Sequence, residues 1–179
     1  STVDQYWWEH IDFNLETWSE EALVPPGEET VLSFYGYDGF TGTVTIPSGG
    51  VAETMRLRYD PLYDTNYGAP GFGLDSANHF RLTAWVDGLP QETYSFLEPV
   101  RVTINYWDWP VHHLYEETLR LHYYDGDEWQ EAHGSCGGGD HYEHLDTGAN
   151  VYEVNVCHLS EFVFAGARKP DIFLPLVMR

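Results

Sequence analysis

The chain has 179 residues, enough for one well-filled core, and a net charge of -21 from 29 acids against 8 Lys plus Arg. That charge repels phosphate backbones and anionic lipid, which makes nucleic acid and anionic membranes poor partners. No apolar run reaches the roughly twenty residues of a membrane-spanning helix, so no membrane span is expected.

The 7 Trp and 13 Tyr exceed what one core needs as filler. Some are therefore expected at a surface, a subunit contact or a sugar-stacking platform, where amphipathic rings give large contact area. Ser1-Thr2-Val3 reads as a processed or trimmed start.

Residues 1–30 read as an N-terminal arm. Tyr6, Trp7, Trp8, Ile11, Phe13, Leu15 and Trp18 stand among carboxylates in neither a helical nor a strand period, and residues 1–40 hold no Lys or Arg. The stretch to residue 24 packs against its own domain or a neighbour, or else forms a first strand and loop. Pro25-Pro26-Gly27 breaks the chain.

Residues 31–166 read as a single β-domain. Leu32 and Phe34 begin a short strand, and Thr41 to Ile46 is a second, stopped by Pro47-Ser48-Gly49-Gly50. Ala52 to Asp60 is a third, with Met55, Leu57 and Tyr59 on one face and Arg56 and Arg58 on the other. Such alternation puts one face in the core and one in water. Residues 61–78 read as a long loop rich in Gly, Asp and Asn. Phe80 to Val86 is a strand closed by the turn signal Asp87-Gly88. Val100, Val102, Ile104 and Tyr106 mark the clearest strand, ended by Trp107-Asp108-Trp109-Pro110. Val111 to Glu117 is one helical turn or a connecting loop. Leu119, Leu121 and Tyr123 form the next strand, which Asp125-Gly126-Asp127 turns into a short partner around Trp129. Residues 134–150 read mostly as loop.

Val151 to Gly166 organises the rest. Tyr152, Val154 and Val156 alternate with polar residues, and Phe162 and Phe164 alternate after a break at His158-Leu159-Ser160. This is two strands with a tight junction. Residues 167–179 read as a linker and a hydrophobic tail, whose Pro175 permits an edge strand and not a central one. No stretch reads as a long amphipathic helix. The expected fold is all-β: an antiparallel β-sandwich, ZU5/GAIN-like or jelly-roll/Ig-like, with extended terminal arms.

Cys136 and Cys157 form an even pair, which in a secreted protein suggests one disulfide; two buried thiols are the alternative. Ca²⁺ suits hard carboxylates beside glycines and backbone carbonyls, and Asp60, Asp64 and Asp75, or Asp125 and Asp127, are its candidates; solvated turn aspartates are the plain reading. His112, His113, His122, His133, His141 and His144 fall in one half of the chain. No transition-metal site is assigned to them, because a closed site needs three or four converging ligands. Trp7, Trp8, Trp107 and Trp109 are the candidates for a glycan or subunit contact.

The motifs TVTIPSGG, EPVRVTINY, LRLHYYDGDEW and CHLSEFVFAG, over roughly residues 40–166, together resemble the ZU5 and GAIN β-sandwich domains and related modules of exported bacterial surface proteins. The resemblance implies possible self-cleavage at the His-Leu-Ser tripeptide. Ser160 Oγ would attack the Leu159 carbonyl in an N→O acyl shift, with His158 taking the hydroxyl proton and water hydrolysing the ester. Chemically, serine needs an adjacent base to become a nucleophile, and the bond must be strained. The tail IFLPLVMR resembles the LPL-containing ends of exported proteins from filamentous green non-sulfur bacteria, which implies a surface address.

These features give the expectation of an extracellular or cell-surface structural module. It is read as a filament subunit that associates with copies of itself by strand exchange or arm packing. The alternatives are an autoproteolytic ZU5/GAIN-like domain of an adhesion protein and a carbohydrate-binding module holding a surface glycan. No cofactor is assigned with certainty beyond the Ca²⁺ candidates.

Overall fold

The structure is a computed structural model that describes residues 19–63, 70–71, 73–91, 94–137 and 141–170. In chain order the strands are β1 (Glu20–Val24), β2 (Thr30–Tyr35), β3 (Thr41–Ile46), β4 (Met55–Leu62), β5 (Leu74–Val86), β6 (Leu89–Gln91), β7 (Ser95–Asn105), β8 (Arg120–Tyr124), β9 (Trp129–Glu131), β10 (Glu143–Asp146), β11 (Val151–His158) and β12 (Glu161–Ala167). One helical turn, α1 (Asp108–Val111), follows β7. The strands form two packed antiparallel sheets, an all-β sandwich. The larger runs β1-β4-β5-β12-β8-β9, with β6 also on β5; the smaller runs β10-β11-β7-β3-β2.

Period-two patterning builds both inner faces. Val44 and Ile46 on β3, Met55, Leu57 and Tyr59 on β4, and Tyr152, Val154 and Val156 on β11 all point inward and are buried. Aromatic rings fill the space between the sheets. Phe34 lies 4.4 Å from Tyr59, Phe80 lies 5.3 Å from Phe162, and Phe164 lies 5.2 Å from Tyr152. Such pairs contribute about 1 kcal/mol each beyond their area burial. Gly42 exists because of this packing: a Cβ there would collide with the Phe34 ring and the Thr103 carbonyl. Asp87 and Gly88 both have positive φ, 52° and 78°, the two-residue turn that joins β5 to β6.

Three segments differ from the sequence reading. Residues 20–24, read as part of an arm, pair with β4 from Glu20↔Tyr59 to Val24↔Met55. The region read as a loop from 61 to 78 is strand at both ends. β4 runs through Pro61, which is tolerated because β1 begins at Glu20 opposite Tyr59 and, among the described residues, no strand pairs with that side of β4 beyond it. β5 starts early, at Leu74, because β12 pairs with it from there. Finally, β10 lies within the expected 134–150 loop; its sequence EHLD offers one apolar residue, too few to show a period.

β11 and β12 are not a hairpin. β11 pairs with β7 and β10, and β12 with β5 and β8, so Leu159 and Ser160 carry the chain from one sheet to the other. Both neighbours of β12 cover it, and its run from Glu161 to Gly166 is wholly buried. The segments 1–18 and 171–179 lie outside the described residues.

Candidate functional site: the inter-sheet junction and the free sheet edge

The junction opens into a groove of about 880 Å³. Its origin is topological. β12 covers one side of β5 from Leu74 to Arg81, and β6 covers the same side from Ala84 to Val86. The gap between them falls at Leu82 and Thr83, where the Leu82 N–H donates to the Ser160 carbonyl at 3.1 Å. Tyr94, Tyr123 and Asp125 complete the walls.

His158, Leu159 and Ser160 all border this groove. The backbone is pinned on both sides, because the Leu159 N–H donates to the Tyr94 carbonyl at 2.9 Å. Ser160 Oγ donates to the Tyr124 carbonyl at 2.5 Å. His158 Nδ1 lies 3.3 Å from the Leu159 carbonyl, and the Tyr123 ring packs edge-on against the imidazole at 4.4 Å. The imidazole thus addresses the carbonyl oxygen, while the hydroxyl is held by another strand. Next in the chain, the buried Glu161 carboxylate accepts from Arg81 at 2.8 Å. Burial raises the Tyr94 and Tyr123 phenols above their ordinary range. The N–H groups of Glu128 and Asp127 hold the Asp125 carboxyl below its own.

The two cysteines are joined, with Cα atoms 5.0 Å apart. The bond ties the segment after β9 to the end of β11, next to His158, and Ser135 Oγ accepts from the Cys157 N–H at 3.2 Å. A formed disulfide is compatible with a secreted protein.

Among the described residues, the calcium candidates make separate contacts. Asp60 pairs with Arg58 at 2.7 Å, Asp75 accepts from the Ser76 N–H, and Asp125 accepts from the Asp127 and Glu128 N–H groups as a turn residue. Asp127 belongs to that same turn, and Asp64 lies outside the described residues. Among the described residues, no group of three or more His, Cys, Asp or Glu is placed to hold a metal ion. His141 contacts the His133 carbonyl, whereas His144 is exposed on β10.

Trp107 and Trp109 are 68% and 69% exposed around α1, and neither lines the groove. Trp109 stacks on His112, and Trp107 lies over Gly39. Trp7 and Trp8 lie outside the described residues. No helix among the described residues is long and apolar enough to cross a membrane.

Among the described residues, the end strands of the two sheets differ in how they are protected. β10 carries Glu143, His144 and Asp146, and β9 has only three residues. β1 carries Glu20 and Glu21, the latter 3.5 Å from Arg56. β2 reads TVLSFY: six residues with no charge and no proline, and with Val31 and Tyr35 52% and 57% exposed. Among the described residues, its ladder partner is β3 alone.

Sequence reasoning missed the Arg81–Glu161 pair and the uncharged β2 edge. A lone glutamate at the head of the apolar run of β12 was a signal for the first. The absence of any charge between Thr30 and Tyr35 was the signal for the second. No protein-family model matches this sequence, and no curated protein matches it.

Proposed function

We propose that this chain is an exported structural module that assembles head to tail with copies of itself, each copy adding a strand to the β2 edge of the next. The observation that carries the reading is the β2 edge, which among the described residues has neither charge nor a second ladder partner. Soluble sandwiches ordinarily blunt their edges with charge, proline, bulges or shortness. Three edges here use charge or shortness, and β2 uses neither. A strand laid along β2 would pair its backbone groups and cover Val31 and Tyr35. The donor is a terminal segment of the neighbouring copy, 1–18 or 171–179, both rich in apolar residues by sequence. Donor and acceptor are different surfaces, so the contact is heterologous and propagates instead of closing. The disulfide supports an extracellular setting.

Sedimentation velocity of the full chain tests this, with Val31→Lys as the control. Val31 is exposed, so lysine there leaves the core intact while blocking the edge. Wild type is expected to form a series of species beyond the dimer, and Val31→Lys to remain monomeric. A monomeric wild type would contradict the proposal. So would a dimer that grows no further, because β2 pairing with its own symmetry mate closes the assembly.

A further inference from the structure

Strand addition at β2 makes no use of the junction groove. β2 is an end strand of the smaller sheet, whereas the groove opens chiefly among β5, β6 and β8 of the larger one. Its volume of about 880 Å³ lies within the range of roughly 300–1,000 Å³ that small-ligand sites occupy. Two half-buried tyrosines wall it, Tyr94 from the segment after β6 and Tyr123 from β8. Each ring is set edge to face by a neighbour: Tyr94 by Phe96 at 5.4 Å, and Tyr123 by His158 at 4.4 Å. Rings already ordered in the free protein lose little freedom when a ligand settles on them.

The polar groups that line the groove are held in place as well. One nitrogen of the Arg81 guanidinium is anchored on the buried Glu161 carboxylate at 2.8 Å, while the side chain stays 44% exposed. Its other N–H groups are left to donate to a ligand. Asp125 Oδ1 accepts from the Asp127 and Glu128 N–H groups, both at 2.9 Å, which fixes an exposed carboxylate at the rim. Gln91 Nε2 donates to the Leu89 carbonyl at 3.3 Å and leaves the amide oxygen as an acceptor. The groove therefore sets fixed donors and acceptors beside apolar ring surface.

We infer that the junction groove binds a neutral oligosaccharide. A sugar carries hydroxyls, each both donor and acceptor, around a ring with apolar C–H surface, and the groove supplies a counterpart to each. Among the described residues, its lining holds one arginine, no lysine and two carboxylates, Asp125 and Glu161, in a chain that carries -21 overall. Uronic acids and phosphates are therefore disfavoured. A peptide strand fits less well. The Leu82 N–H is already given to the Ser160 carbonyl, and Pro90 on β6 has no N–H to give. This site is separate from Trp107 and Trp109, the aromatic residues that composition alone pointed to, and it does not depend on assembly through β2.

Isothermal titration calorimetry of the full chain tests the inference. The probes are maltotriose, cellotriose, mannotriose and triacetylchitotriose, with trigalacturonate as the charged comparison. At least one neutral trisaccharide is expected to bind with a dissociation constant of about 1 mM or lower, and trigalacturonate about tenfold or more weakly. Tyr94→Leu keeps an apolar side chain against the core but removes the ring, and weakens that binding by about tenfold. Gln91→Ala, at the end of the three-residue β6 and outside the core, weakens it by about fivefold. Trp109→Ala leaves it unchanged. Absence of binding by every neutral trisaccharide at about 10 mM would overturn the inference. Tighter binding of trigalacturonate, full affinity in either Tyr94→Leu or Gln91→Ala, or loss in Trp109→Ala would overturn it equally.

Discussion

Ser160 and His158 sit one residue apart, yet they serve different neighbours. The serine hydroxyl reaches the Tyr124 carbonyl and fastens the start of β12 to the end of β8. The imidazole turns to the Leu159 carbonyl and rests under Tyr123. For the acyl shift implied by the ZU5/GAIN resemblance, the hydroxyl would have to leave Tyr124, swing to the Leu159 carbonyl carbon and give its proton to His158. The first move forfeits a hydrogen bond of about 1 kcal/mol, and the Leu159 and Ser160 backbone bonds hold the peptide against distortion. We therefore expect the intact mass of the full chain to stay that of a single uncut polypeptide after prolonged incubation at neutral pH. Two fragments divided after Leu159 would establish the cleavage reading instead. Glu161 makes the same point about position: a carboxylate in an apolar run is held there by Arg81 from the adjacent strand, a partner 80 residues away in sequence.

At the scale of elements, the disulfide is the clearest constraint. It closes a loop with a sequence separation of 21 around β10 and nearly all of β11. Chain-entropy arguments give such a crosslink about 3 kcal/mol. Replacing both cysteines by alanine is expected to lower the unfolding free energy by about that amount in a denaturant titration, and an unchanged midpoint would show that the loop is held by packing alone. Strands with strict alternation, such as β3 and β11, were legible in the sequence because water on one face and core on the other impose period two. β10 was not legible, because an edge strand with one apolar residue has no period to read. The polar first turns of β5 were hidden for a related reason: Asp75, Ser76 and Asn78 look like loop, and only the pairing with β12 makes them strand. Of the candidate sites, the tight junction and the cysteine pair were visible as local motifs. The groove walls were not, since Tyr94, Tyr123 and Arg81 meet there only through sheet topology.

For the whole molecule, two opposing terms would govern the proposed association. The β2 edge, which among the described residues pairs with β3 alone, would offer backbone pairing and apolar cover, while a charge of -21 on every copy repels the next. Salt screens that repulsion over a distance of about 8 Å at physiological ionic strength, leaving short-range strand pairing untouched. Assembly should therefore strengthen as salt rises, which is the reverse of an assembly held together by ion pairs. The most direct test of the account is negative-stain electron microscopy of the full-length chain at near-neutral pH and about 0.15 M salt. The account predicts fibres with a regular axial repeat close to the length of one sandwich, present in wild type and absent in Val31→Lys. Isolated particles in the wild-type sample, or equal fibres in both samples, would contradict assembly through the β2 edge.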